Sequence, residues 1–467
     1  MLFNSLVFVA FAIIFFLVFK IVRRKVKGRL IWLTIASFFF HGWWDWRFLF
    51  LIIFSGLVDY YAALGMAKFP ERKKLLLLLS VLANVGSLSL FKYSGFVAAN
   101  IDALFNLSGN FSLVENIPGF FLITPAGISF YTFQSMSYTI DVYRGKLAPT
   151  KRIVQFFAYL SMFPQLVAGP IVRAKIMLPQ LLTIPEVTKE QQWTGFQLIV
   201  RGYFLKMVIA DNLAPQVVAA FGAPEVNPSS LFWWGIIIAF AFQIYCDFAG
   251  YTAIARGLSR WMGYEIPANF DHPYISTSIR EFWTRWHISL STWFRDYVYI
   301  PLGGNQKGKF RKHINLWITM LVSGLWHGAA WTFVVWGAVH AVFASIEHIT
   351  RWPEKLGVSL PGKLIAWLFV SVQVLVAWVF FRSHSIQQAW EIVQVMFSFR
   401  GDFELGWGLN GTFFILLIVF REIFAALHRD SRLRWKYPVA EMVFYAVLIV
   451  MIIFFRGEGS EFIYFQF

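Results

Sequence analysis

Charge and cysteine are both scarce in this chain of 467 residues. Only 14% of its residues are charged and it holds one cysteine, Cys246, whereas soluble domains carry about 25% charged residues. A single thiol closes no intrachain disulfide, and the Cys/His spacing of a zinc site is missing, so a disulfide scaffold is excluded and no metal is expected. Neither a GxSxG nucleophile elbow nor an HExxH helix occurs, which removes the signatures of serine-hydrolase and zincin chemistry. No transporter-like internal repeat, no paired intramembrane charges and no low-complexity linker stand out. Residues Gly303 to Phe310 come near a P-loop, but Phe310 occupies the magnesium-holding position and no strand precedes it. A glycine-rich basic turn is the reading there.

Apolar and aromatic residues are what the chain has in excess: 58% and 19%, with 53 Phe and 21 Trp and a mean hydropathy of +0.60. That is more than soluble cores hide and enough for about 10–12 spans of roughly 20 residues. The expected fold is therefore all-α: a single polytopic membrane domain over 1–467, with re-entrant and interfacial helices around a central tunnel. In such a protein the net charge of +16 reads as cytoplasmic loops facing anionic lipid rather than as a nucleic-acid surface. Basic clusters at 20–29, 68–74, 144–152 and 428–436 then mark the cytoplasmic side and place both termini outside. The run Met1 to Phe19 has its positive cluster after it, not before, as expected of an anchor rather than a cleavable signal.

Two segments depart from plain spans. The run 153–171 contains Pro164 and Pro170, which free backbone groups that survive at membrane depth only when buried in protein or lining a wet cavity; it reads as re-entrant. The segment 257–313 is basic yet rich in Trp and Phe. Within it Ile279, Trp283, Trp286, Leu290 and Trp293 recur at steps of three and four, which predicts one amphipathic helix lying in the cytoplasmic interface.

Histidine is the candidate chemistry. His327 lies between Gly324 and Gly328 inside an apolar run, where an ionisable side chain is costly and so functional by default. Its ordinary pKa near 6.5 suits it to take a hydroxyl proton and return it to a leaving group. The flanking glycines open space for a substrate or break the helix. His287, in Trp286-His287-Ile288, fits either a structural hydrogen bond or a role in the chemistry. His340 and His348 read as packing or interfacial residues.

Taken together, several stretches resemble the membrane-bound O-acyltransferase (MBOAT) family. They are Gly127 to Phe133, Asp141 to Gly145, Phe163 to Pro170, Asp247 to Tyr251, Asn269-Phe270 with Pro273-Tyr274, Phe282 to Leu290, Arg295 to Tyr297 with Leu302 to Asn305, and Gly324 to Gly328. The closer likeness is to the bacterial branch that acetylates alginate, peptidoglycan and cellulose. The resemblance implies that His327 is essential and sits in a tunnel, and that His287 is the second family histidine. It also implies an acyl group moving from a cytoplasmic thioester, acetyl-CoA in acetylating members, to an acceptor outside. One departure is Ala253, where the family often has an acidic residue.

The tail 456–467 ends in Phe462-Ile463-Tyr464-Phe465-Gln466-Phe467. These aromatics fit an interfacial belt; they also resemble the aromatic terminus of this branch, whose tyrosine, here Tyr464, is proposed to carry the acyl group. Expected partners are the lipid bilayer, an extracytoplasmic serine-esterase-like transferase and, through it, a polysaccharide. No cofactor is expected to be bound. The basic 257–313 segment suits CoA or an acyl carrier protein equally. D-alanyl transfer to teichoic acid is the alternative within the family, and a transporter or flippase the alternative outside it.

Overall fold

The computed structural model of the chain describes all residues except 167–168, 185, 402–405, 428–437 and 466–467; of the side chains, those of 110, 409–410, 423–427, 438 and 465 also fall outside the description. The basic cluster 428–436 therefore lies outside the described residues, as do Val167 and Ala168 of the proline segment and the last two residues of the tail.

Among the described residues every regular element is helical. Six helical stretches among the described residues are long and apolar enough to cross a membrane: Val26–Lys68, Pro70–Phe105, Lys189–Gly222, Ser230–Trp261, Trp331–Thr350 and Leu360–Arg382. The chain is a multi-pass, all-α membrane protein, as its composition requires. Other apolar segments of the sequence form shorter or broken helices.

The chain divides into two compact units: Met1–Phe196 with Ala255–Pro267, and Gln197–Ile254 with Ala268–Phe467. In the first, α1 (Leu6–Val22), α2 (Val26–Asp45), α3 (Leu49–Lys68), α4 (Lys73–Leu88), α5 (Ile128–Tyr143) and α6 (Ile153–Leu160) form the main bundle. α5 is buried along nearly its whole length despite Ser, Thr and Gln side chains. The neighbouring helices satisfy one another's polar groups: Asp59 accepts from the Ser80 hydroxyl at 2.6 Å and from Asn84 Nδ2 at 2.9 Å, and the Thr139 hydroxyl lies 3.0 Å from that of Ser80. Away from water these bonds specify which helices pair.

The proline segment is broken. After α6 only a short turn, Phe163–Leu166, follows. Its groups find partners: the Phe163 N–H donates to Ser37 Oγ at 3.1 Å, Gln165 Nε2 donates to the Tyr159 carbonyl at 2.7 Å, and the Tyr159 hydroxyl donates to the Val172 carbonyl at 3.1 Å. The Phe163 ring plugs edge-on into Phe15 and Phe11 of α1, at 4.8 and 5.2 Å.

The second unit comprises the end of α7 (Lys189–Tyr203), a π turn (Phe204–Ala210), α8 (Asp211–Gly222), most of α9 (Ser230–Trp261), the short α10 (Ile279–Arg285) and α11 (Ile288–Phe294). It continues with α12 (Gly308–His327), α13 (Trp331–Thr350), α14 (Leu360–Arg382), α15 (Gly408–Leu427), α16 (Pro438–Phe454) and the tail. α12 and α13 meet backbone to backbone. A Cβ on Gly324 would run into the Phe333 carbonyl, and one on Gly337 into that of Met320.

The structure corrects the reading of 279–294 as one interfacial helix. Two short helices stand there, broken at Trp286-His287. Trp286, Leu290 and Trp293 are buried, with Trp286 packed on Trp378 at 5.0 Å and Phe270 at 5.1 Å. The three-and-four spacing marks a face turned into protein, not one lying on headgroups.

Candidate functional site

α12 ends at His327 because Gly328 turns extended and the chain restarts as α13 at Trp331. That places the imidazole at a helix C-terminus, 3% exposed, inside a cage of rings: Trp336 at 4.9 Å, Trp326 at 5.0 Å, Phe381 at 5.4 Å and Tyr464 at 5.8 Å. The close crossing through Gly324 fixes the helix one turn earlier, so the position of His327 is set by backbone contact.

His287 is the break between α10 and α11. It adopts a left-handed conformation with φ +41°, uncommon for a residue with a Cβ, and its side chain is fully buried. Asn269 holds the break. Its carbonyl accepts the Ile288 N–H at 2.9 Å, and its Oδ1 accepts the Ser289 N–H at 3.1 Å, the Ser289 hydroxyl at 2.8 Å and His287 Nδ1 at 3.2 Å. A backbone N–H only donates, so the atom it meets is the amide oxygen. The proton of His287 therefore lies on Nδ1, which leaves Nε2 as the basic nitrogen of the ring. Burial pushes this imidazole down to about 3, so it is neutral at physiological pH.

Tyr464 completes the group. The tail does not lie as an interfacial belt: Phe462 and Ile463 are buried, and Tyr464, partly accessible, packs on Phe248 at 4.5 Å, Phe462 at 5.7 Å and His287 at 6.3 Å. Burial pushes its phenol above the usual range. All three residues singled out in the sequence thus meet within the second unit, with Tyr464 in ring contact with both histidines.

The sequence reading missed one feature. It found no paired intramembrane charges, yet Lys206 is buried with Asp211 at 2.8 Å and Asp247 at 2.9 Å. The signal was present: a lysine and two aspartates in apolar runs at membrane depth. His340 was read as packing or interfacial; it is buried beside Trp336 at 4.8 Å and Trp283 at 5.0 Å. Its Nδ1 has no hydrogen-bond partner among the described residues.

Comparison with known proteins bears on the same residues. The profile of the membrane-bound O-acyltransferase family matches residues 146–382, a stretch holding both histidines. A protein named "probable alginate O-acetylase" from Azotobacter vinelandii is 38% identical over 408 residues, covering 87% of this chain and 79% of its own length. The peptidoglycan O-acetyltransferase of Helicobacter pylori is 31% identical over 506 residues, covering 99% and 90%. A teichoic acid D-alanyltransferase of Streptococcus thermophilus is 31% identical, over 50% of this chain and 59% of its own. A transporter or flippase does not fit these matches; the chain belongs to the membrane-bound O-acyltransferase family and is an O-acyltransferase.

Proposed function

We propose that the protein is a transmembrane O-acetyltransferase of a bacterial inner membrane. It takes an acetyl group from acetyl-CoA on the cytoplasmic side and delivers it, through an acetyl ester on Tyr464, to an extracytoplasmic partner of the serine-esterase type. That partner acetylates a cell-envelope polysaccharide or exopolysaccharide. The observation that carries this reading is the seating of Tyr464 against His327, 5.8 Å between ring centres. Both termini lie outside in this arrangement.

In the first half-reaction the Tyr464 oxygen attacks the thioester carbonyl while His327 takes the phenolic proton. The C–S bond breaks, the proton passes to the departing thiolate, and an aryl acetate and free CoA thiol result. Ordinary pKa values near 10 and 6.5 already put complete prior proton transfer about 5 kcal/mol uphill, and the raised phenol widens the gap, so the transfer is concerted with attack. The partial negative charge at the end of α12 stabilises the imidazolium as it forms. Trp326, Trp336 and Phe381 keep water from the ester. His287, 6.3 Å from the phenol ring, orients it. In the second half-reaction a hydroxyl of the partner attacks the ester, and Tyr464 recovers its proton. D-alanyl transfer from a carrier-protein thioester would use the same residues; the D-alanyltransferase match spans half the chain and supports it less.

Mass spectrometry of the C-terminal peptide from purified protein supplied with acetyl-CoA tests the reading. The expected result is an acetyl adduct on Tyr464 that is lost in His327→Ala and Tyr464→Phe. An adduct persisting in His327→Ala, or none in the parent protein, overturns the relay.

A further inference from the structure

We propose that Lys206 is a positioning residue: with Asp211 and Asp247 it forms a latch that holds the C-terminal tail and sets Tyr464 against His327. The purpose assigned to the latch rests on the acyl-tyrosine reading above; the docking itself does not.

A lysine between two carboxylates, all buried, is an expensive element in a membrane protein, and such groups mark function more often than stability. Here the bonds left over after ion pairing go to the tail. The remaining N–H of Lys206 Nζ is shared between the Ser460 carbonyl at 3.0 Å and Ser460 Oγ at 3.1 Å. The Ser460 hydroxyl donates to Asp211 Oδ1 at 2.5 Å. Asp247 Oδ2 accepts the Ile463 N–H at 2.7 Å, and Ile463 immediately precedes Tyr464. Upstream, the Gly457 N–H donates to the Met207 carbonyl at 2.9 Å, and Asn212 Nδ2 donates to the Phe455 carbonyl at 2.8 Å.

The backbone is built for this. Lys206 and Met207 sit in the π turn 204–210, a rare helical form in which the wider turn re-aims side chains and carbonyls and which recurs at functional sites. Asp247 stands on α9 near Gly250. A Cβ at Gly202 of α7 would lie 2.6 Å from the Gly250 carbonyl, so these helices touch through backbone and bring the lysine to the aspartate. The same face of α9 seats the tail rings: Phe462 lies on Tyr251 at 4.6 Å, and Tyr464 on Phe248 at 4.5 Å. Fixing the Ile463 N–H to this helix fixes the next Cα, from which the Tyr464 ring reaches His327.

The test uses the full-length protein in nanodiscs, with two readouts: carboxypeptidase trimming of the tail followed by intact mass, and acetylation of Tyr464 by acetyl-CoA. Lys206→Met removes the cation. The pair Lys206→Met with Asp211→Asn keeps the cluster at one net negative charge, so it folds if the single variant does not. In the parent, trimming stops at the docked segment; in both variants it runs through Tyr464 to Ser460 on the order of ten-fold faster or more, since charge-assisted hydrogen bonds are lost. Acetylation of Tyr464 falls by a similar factor, and Lys206→Arg restores part of both. Trimming that is unchanged in the folded double variant overturns the latch. Faster trimming in the variants, with no adduct in the parent, leaves the latch standing and refutes the relay.

Discussion

Asn269→Ala separates the orientation of His287 from its presence. The amide oxygen of Asn269 serves three donors, His287 Nδ1, the Ser289 N–H and the Ser289 hydroxyl; alanine removes that acceptor from all three in a buried place. One unsatisfied buried donor costs about 1–3 kcal/mol. The serine hydroxyl can rotate to another acceptor, so the expected loss of stability is about 2–4 kcal/mol rather than the threefold sum. The catalytic loss is separable. Without the Nδ1 bond the imidazole can turn and exchange tautomers, and mis-set orientation of this kind costs about 10–100-fold in rate. Asn269→Asp still accepts from all three donors and should keep most of both. The decisive assay is a double-mutant cycle on the rate of Tyr464 acetylation, with unfolding measured in parallel. If Asn269 works through His287, adding Asn269→Ala to His287→Ala costs stability but no further rate. Rates that multiply independently, or an Asn269→Ala protein acetylating at the parent rate, refute the reasoning.

Gly324→Ala puts a methyl into the Phe333 carbonyl, so α12 and α13 must part by roughly 1 Å, and His327 moves with α12. A displacement of that size costs on the order of 100-fold in transfer; an acetylation rate within twofold of the parent would show that the crossing does not set the histidine. His340→Phe keeps the ring stack with Phe282, at 6.4 Å and 8° between planes, and replaces a shape-similar side chain. Thermal unfolding should shift little, while acetylation falls about ten-fold if the buried Nδ1 of His340 serves the reaction. An unchanged rate would return His340 to packing.

The fold class was legible because composition alone forces it: so many apolar residues with so little charge have no soluble solution. Pro164 and Pro170 announced the break in 153–171, and the structure supplies what no pattern carries: the Ser37 hydroxyl, the Gln165 amide and the Tyr159 hydroxyl, which satisfy the Phe163 N–H and the Tyr159 and Val172 carbonyls. Periodicity misled at 279–294 for a physical reason. A three-and-four repeat says that one face is apolar; it does not say whether lipid or protein covers that face. Nor does it register a residue such as His287 going left-handed between two helical turns, since that depends on Asn269, eighteen positions earlier.

The site divides along the same line. His327 stood out because a titratable group in an apolar run must have a reason to be there, and the same logic, applied evenly, reaches Lys206, Asp211 and Asp247. The pairing is invisible in the sequence because Lys206 and Asp247 lie 41 positions apart and meet only where Gly202 lets α7 touch α9. The aromatic tail was ambiguous for want of the same information. A row of Phe and Tyr past a last span suits a headgroup belt or a docked segment equally, and the rings themselves do not choose. What separates the two is a backbone hydrogen-bond partner at membrane depth. A belt leaves its N–H groups to water, while a docked strand must find acceptors in the protein. The Ile463 N–H finds one in Asp247, which ties an otherwise hydrophobic segment to the buried cluster of Lys206, Asp211 and Asp247.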